Sequence, residues 1–114
     1  MNRDKERVHR IGLNEAVFRE LNDRLEELEE TFRPGRDELD LVCECGDADC
    51  GERLRLPRLD YRRLRSDSRL FAVVPGHEIP DVEDVVEQHE TFDVVRKREG
   101  EPARVAVESD RRSG

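Results

Sequence analysis

The sequence predicts an α+β fold with a long N-terminal helix, a Cys-tipped β-hairpin, and short helices on a small, largely antiparallel sheet. Apolar residues recur at steps of three and four between positions 11 and 32, which is the period of an amphipathic helix. Apolar and polar residues then alternate on both sides of the segment Gly46–Gly51, which predicts two strands joined by a turn. The apolar run 70–74 ends at Pro75-Gly76 and predicts a buried strand that leads into a loop.

The composition bounds the kind of protein. A length of 114 residues suits one domain. Hydrophobic residues make up 34% and charged residues 44%, so the core must be small, and a bound metal would add useful stability. The net charge of -8 argues against general affinity for nucleic acids or anionic membranes.

The cysteine count indicates a compartment. The chain has no run apolar enough to span a bilayer, and its first residues lead into no signal-peptide core. Its three cysteines are an odd number without an export signal, which predicts reduced thiols in the cytoplasm.

The N-terminal helix is predicted over residues 11–33, after a charged, flexible lead-in at residues 1–10. Pro34-Gly35 would end it, and Asn14 is either part of its seam or its N-cap. The seam can pack on the chain's own domain or on another molecule. We predict a protein partner or a second copy there. The seam consists of Ile11, Asn14, Phe18, Leu21, Leu25, Leu28 and Phe32, and its expected partner-binding residues are Phe18, Leu21, Leu25 and Leu28.

Residues 34–108 are predicted to form the metal-stabilised α+β core, followed by a disordered tail at 109–114. After the hairpin, the pattern predicts helices over 57–66 and 80–88 and strands over 70–74 and 92–98, whereas 102–107 fits either a helix or a strand.

The three cysteines are Cys43, Cys45 and Cys50. Alternate residues of a strand project to the same side, so Cys43 and Cys45 can point together, and the turn at Gly46 can return Cys50 towards them. Three thiolates suit zinc, which needs a fourth ligand. The alternatives are three reduced thiols or a strained Cys45–Cys50 disulfide.

His77 is the expected fourth ligand, because Pro75-Gly76 places it on a loop at a strand end, where hairpin tips also lie. Other candidates are His89, His9, Asp47 and Asp49. Three cysteines and one histidine also resemble the ligand set of the CDGSH iron–sulfur proteins, which begin with C-x-C. In that family the third cysteine and the histidine are close in sequence, whereas Cys50 and His77 are not. An iron–sulfur cluster is therefore a minor alternative to zinc.

An arginine-rich stretch lies between positions 53 and 69, with seven arginines and two aspartates. Arg58, Arg62 and Arg65 are a possible anion-binding patch. The alternative is that they pair with the acidic helix face around Glu26, Glu27, Glu29 and Glu30. Only Tyr61 is interleaved, so there is no platform for base stacking, and we do not expect nucleic-acid binding.

No metalloprotease, deaminase, nucleophile-elbow, P-loop or dinucleotide motif occurs in the sequence, and we do not expect an enzyme. The predicted function is a small, zinc-stabilised, non-enzymatic interaction or regulatory module. One alternative is a thiol-based redox or metal-sensing protein. A weaker one is a metal-dependent hydrolase with an open zinc position.

Three segments carry a family resemblance. They are Asn14–Glu20, the Glu44-Cys45-Gly46 run with Cys50, and Val74–Glu78. In this order they resemble a family of short uncharacterised bacterial proteins over nearly the whole chain. The resemblance implies no activity, but it places Cys43, Cys45, Cys50 and His77 within shared motif segments, which favours one common site.

Overall fold

A computed structural model describes residues 2–110 of the chain. In chain order it contains α1 (Asn2–Phe32), β1 (Glu38–Val42), β2 (Arg53–Pro57), α2 (Arg58–Arg65), β3 (Leu70–Val73), β4 (Glu83–Gln88), β5 (Asp93–Lys97) and α3 (Glu101–Glu108). Strands β1 and β2 form an antiparallel hairpin, and a second antiparallel sheet has the order β3-β5-β4. The predicted α+β fold, with its long N-terminal helix, its cysteine-bearing hairpin and its antiparallel strands, is confirmed.

The hairpin follows the predicted alternation. Leu39 pairs with Leu56 and Leu41 with Leu54, and all four side chains are buried on one face. The N–H of Cys43 donates to the carbonyl of Glu52 (2.8 Å), which extends the pairing into the loop at residues 43–52. This segment is called the cysteine loop below.

The two sheets meet beside this loop. The N–H of Glu44 donates to the carbonyl of Ala72 in β3 (2.8 Å), so the cysteine loop lies against the edge of β3. Buried side chains from the hairpin, α2, β3, β5 and α3 form one core. Its members include Leu39, Leu56, Tyr61, Leu64, Phe71, Val94, Val95 and Ala106.

The prediction of a helix over residues 80–88 is wrong, because Glu83–Gln88 forms strand β4. Valines at 82, 85 and 86 are compatible with one helical face, but β-branched residues also favour strands. Central strand β5 offers β4 a full antiparallel partner, with a bulge between Val85 and Glu87. Residues 102–107, whose sequence fits either a helix or a strand, lie in helix α3. Gly100 precedes this helix with a φ of +98°.

The chain ends also differ from expectation. Helix α1 begins at Asn2, so the predicted lead-in is helical from there, and Arg7 pairs with Asp81 at 2.5 Å. Of the predicted tail, Ser109 accepts a hydrogen bond from Arg19, and Asp110 accepts one from Ser68. Met1 and residues 111–114 lie outside the described residues.

Helix α1 turns a polar face towards the body of the domain. Glu15, Arg19 and Asn22 are buried there, whereas Leu21 and Leu28 of the predicted seam are exposed. Asn22 pairs with the backbone of Val42 in both directions, donating to its carbonyl (2.8 Å) and accepting from its N–H (2.9 Å). The helix is therefore positioned by specific hydrogen bonds and ion pairs in addition to the apolar contacts of Ile11 and Leu25.

Candidate metal centre

Four side chains converge at the end of the hairpin. Cys43, Cys45 and Cys50 come from the cysteine loop, and His77 comes from the loop that follows β3. Their potential ligand atoms all lie within 4.8 Å of one another, so the four residues are close enough to hold a metal ion. The sequence predicted this set of four.

Two of the distances between the donors match the edges of a tetrahedral site. Nδ1 of His77 lies 3.6 Å from Sγ of Cys43 and 3.5 Å from Sγ of Cys50. A tetrahedron with zinc–sulfur bonds of about 2.3 Å and a zinc–nitrogen bond of about 2.0 Å has sulfur–nitrogen edges of roughly 3.5 Å. These two spacings are therefore compatible with one ion bound by all three residues.

The cysteine loop is held against α1 at its turn. Asn14 donates from Nδ2 to the carbonyl of Gly46 (2.8 Å). A Cβ at position 46 would lie 2.5 Å from Cγ2 of Ile11 and 3.0 Å from Cδ1 of Ile79. Glycine is required there because the backbone approaches these side chains so closely.

Glu44 anchors the loop on the side opposite the thiols. Its carboxylate accepts hydrogen bonds from Arg65 (2.8 Å), from the N–H of Ala72 (3.0 Å) and from Asn22 (2.8 Å). These donors belong to α2, β3 and α1, so one buried carboxylate joins the loop to three elements. Because β3 leads directly to His77, Glu44 also fixes the distance between the two ligand segments.

Backbone N–H groups face the sulfur atoms. The N–H of Val74 donates to Sγ of Cys43 at 3.2 Å. Further N–H groups, from Asp47 and Glu52, donate to the sulfurs of Cys45 and Cys50 respectively. Donors of this kind stabilise a thiolate, which is the form that binds metals.

The thiols are strongly coupled to one another. The hydrogen bond from Cys43 is the main cause that lowers the pKa of Cys45 to about 5, and the same bond raises the pKa of Cys43. Burial raises the pKa of Cys50. The loop thus stabilises one thiolate by the neighbouring thiol, and a bound cation would replace the remaining thiol protons.

Glu52 orients the imidazole. Nε2 of His77 lies 3.1 Å from Oε2 of Glu52, on the ring edge away from the thiols. A carboxylate at this place favours the proton on Nε2 and leaves the lone pair of Nδ1 directed at the sulfurs. The sequence analysis missed both Glu44 and Glu52. Strand alternation could have found Glu44, because a residue between Cys43 and Cys45 must point the opposite way.

The other predicted ligands lie elsewhere. His89 stacks on Phe92 with ring centroids 4.3 Å apart, and His9 is exposed on α1. Asp47 and Asp49 are exposed in the turn, where a carboxylate oxygen of Asp47 accepts the N–H of Asp49. Among the described residues, only His77 joins the three cysteines in a metal-sized group.

Each arginine of the possible anion patch faces a carboxylate. Arg58 lies 2.5 Å from Glu30, and Arg62 lies 3.7 Å from the same side chain. Arg65 is buried against Glu44. The pairing with acidic residues of α1, which the sequence left open as an alternative, therefore describes Arg58 and Arg62.

Comparison with family models, with curated proteins and with solved structures finds no match to this chain. Within residues 2–110, no helix combines the length and the apolar character needed to cross a membrane.

Proposed function

We propose that the protein is a small, zinc-stabilised interaction module without enzymatic activity. The observation that supports it best is the convergence of three thiols and the imidazole of His77, whose donor atoms all lie within 4.8 Å of one another. Thiolate and imidazole donors suit zinc, whereas Mg²⁺ and Ca²⁺ prefer oxygen ligands.

A four-donor set favours a structural role for the ion. Structural zinc sites have four protein ligands, whereas catalytic sites keep one position open for water or substrate. With Cys43, Cys45, Cys50 and His77 all bound, the ion has no open position, so a hydrolase is disfavoured. In a chain with 44% charged residues, the binding free energy of the metal would supplement a small core.

The interaction role rests on α1. The seam residues Leu21 and Leu28 are exposed, whereas Phe18 is partly buried and Leu25 packs against the core of the domain. The exposed leucines of this helix are available to a partner. The metal would stabilise the domain on whose surface this helix lies.

A redox or metal-sensing role is the second candidate. Cys43 and Cys45 are buried, but Cys50 and His77 are only half-buried, so solvent reaches one side of the site. An oxidant or chelator could approach there. In that role the metal would be labile, and loss of the ion would change the cysteine loop.

Metal content tests the proposal. We expect protein purified without added zinc to carry about one zinc per chain by elemental analysis and native mass spectrometry. His77→Ala should lower the zinc affinity, whereas His9→Ala, which removes an exposed histidine of α1, should not. Metal-free protein with an unchanged melting temperature would refute the proposal. Zinc that a weak chelator removes without unfolding would favour the sensing role.

A further inference from the structure

Solvent reaches the three thiols of the cysteine loop unequally. Cys43 is fully buried and Cys45 is 3% exposed, whereas Cys50 is half-buried. The residues on both sides of Cys50, at positions 47–49 and 51–52, are exposed. A reagent from solution therefore reaches Cys50 before it reaches the other two cysteines.

A second thiol lies beside the accessible one. The side chain of Cys50 hydrogen-bonds with the side chains of Cys45 and Cys43. Metal binding keeps cysteine sulfurs deprotonated, and the thiolate is the nucleophilic form of the side chain. A solvent-accessible thiolate next to a second cysteine is the arrangement typical of redox-sensitive cysteines.

Cys45 is better placed than Cys43 to form a disulfide with Cys50. The N–H of Cys43 donates to the carbonyl of Glu52, and its Sγ accepts a hydrogen bond from the N–H of Val74. Cys43 is thus held by both its backbone and its sulfur within the extended hairpin. The turn between Cys45 and Cys50 contains three exposed residues, so a small movement of this turn brings the two sulfurs together without disturbing the hairpin.

We propose that the metal site is regulated by oxidation, in which hydrogen peroxide attacks Cys50, a Cys45–Cys50 disulfide forms, and the zinc is released. The inference rests on the proposed zinc-binding function and names how that site is regulated. It differs from a labile metal sensor, because the reduced chain keeps its zinc in the presence of a weak chelator and only the oxidised chain loses it.

The reaction consumes one peroxide per chain. The thiolate of Cys50 attacks a peroxide oxygen, the O–O bond breaks, and hydroxide leaves a sulfenic acid on Cys50. The thiolate of Cys45 then attacks this sulfur, so the S–S bond forms, the S–O bond breaks, and a second hydroxide leaves. Two electrons pass from the sulfurs to the peroxide, and two protons from solvent convert the hydroxides into water. Cys43 and His77 remain as donors, fewer than a structural zinc site requires.

The first test treats the zinc-loaded full chain with hydrogen peroxide. A zinc indicator follows release of the metal, and peptide mapping after alkylation identifies the disulfide. We expect about one zinc released per peroxide consumed, a Cys45–Cys50 disulfide, and a Cys43 thiol that is still alkylated. The chain has no tryptophan and one methionine, so few other side chains consume the oxidant. A thiol reductant with added zinc should restore the metal.

The second test removes the accessible thiol but keeps four donors. In Cys50→His an imidazole replaces the thiolate, and imidazole also binds zinc. Peroxide should release zinc from this variant at least about 10-fold more slowly than from the wild type, because the remaining thiols are buried. Cys45→His is the matched variant, since it keeps Cys50. Dimedone should trap a sulfenic acid on Cys50 there. If neither variant folds with zinc, the disulfide map of the wild type decides.

Three results would overturn the inference. They are zinc-loaded wild type that keeps its metal at peroxide concentrations that oxidise glutathione, a disulfide that contains Cys43, and a Cys50→His chain that loses zinc as fast as the wild type. Retention of zinc under peroxide would refute the regulation and leave the zinc module intact. Protein that purifies without zinc would refute the zinc module, and the disulfide map would still test the pairing of Cys45 with Cys50.

Discussion

Two clusters of ionisable side chains, one buried and one half-buried at the end of the hairpin, are neutralised differently in this molecule. In the first group, Lys97 lies 2.7 Å from Glu15 and 2.8 Å from Glu83, with all three side chains at most 1% exposed. The chain supplies both charges. In the second group, three thiols and the imidazole of His77 point their donor atoms at one another. These donors can be neutralised together by an added cation or separately by protons.

The difference separates a structural cluster from a binding site. The first cluster joins α1 to β4 and β5 and requires nothing from solution, because an ammonium group lies between its carboxylates. The second cluster joins the cysteine loop to the loop after β3 at the edge of the domain, and its stability depends on what is bound. Burial of charged residues alone is therefore a poor guide to function. A better guide is whether the cluster contains its own counter-charge or needs a cation from solution.

Removal of the metal should have the largest effect. Chelation should lower the free energy of unfolding by about 5 kcal/mol or more, because the binding energy of a structural zinc is part of the folding energy. For a domain of this size, that corresponds to a drop in melting temperature of roughly 20 °C.

Cys45→Ser should reproduce that loss without a chelator, and chelation should then change its melting temperature little. Calorimetry with and without chelator measures both. If chelation destabilised Cys45→Ser as much as the wild type, the cysteine cluster would not be the site of the ion.

Substitution of Lys97, the ammonium group of the buried cluster, should have the next largest effect. Lys97→Met leaves Glu15 and Glu83 buried without a counter-charge, which should cost about 3–5 kcal/mol of stability. The chain has only one other lysine, exposed Lys5, and Lys5→Met is the matched control. Zinc content should stay at one per chain, which would show that the two clusters are independent.

The loss in Lys97→Met should depend on pH. Burial raises the pKa of Glu15 well above its usual range, and Lys97 opposes that rise. A folded-state pKa above the unfolded value means that stability is greatest below the unfolded pKa and falls as the pH rises through the folded one. The variant should therefore be more destabilised at pH 8 than at pH 5 in chemical denaturation. An equal loss at both values would contradict a raised pKa of Glu15 in the folded variant.

The smallest predicted effect concerns Glu52, which contacts His77 from outside the thiol cluster. Glu52→Ala should weaken zinc binding by about 10-fold, the lower end for such outer partners because this carboxylate is partly exposed. Glu52→Gln should retain more of the zinc affinity, since the amide carbonyl can still accept a hydrogen bond from Nε2–H of His77. Competition with a zinc indicator measures the affinities.

Asp49→Ala is the control for Glu52, because it removes the same charge from an exposed position in the same loop. If Asp49→Ala and Glu52→Ala lowered affinity equally, the effect would be general electrostatics rather than orientation of the ring. Nitrogen chemical shifts of the imidazole would show directly whether the proton is on Nε2.

Local sequence patterns predicted the cysteine and histidine cluster better than they predicted the contacts between α1 and the rest of the domain. Strand alternation placed Cys43 and Cys45 together, and Pro75-Gly76 located His77 at a strand end, so short-range rules were sufficient. Glu15 and Lys97 are 82 positions apart. Nothing local indicates that a glutamate on a charged helix will meet a lysine of a central strand.

The helical periodicity of α1 was predicted correctly, but only part of the predicted seam packs on the domain, since Leu25 contacts the core whereas Leu21 and Leu28 are exposed. Apolar spacing predicts a buried face when apolar contacts dominate. Here Asn22 and Arg19 make specific bonds to backbone carbonyls of the body, and these bonds set the rotation of the helix. For β4 the valine spacing suited both a helix and a strand, and the partner strand decided the outcome.

The amide of Asn22 also bears on aggregation. An unpaired strand edge is a template on which another chain can add a strand. Val42 directs its N–H and carbonyl away from the hairpin partner, and the side chain of Asn22 occupies both groups. A helix residue thus closes this point of the β1 edge to an incoming strand.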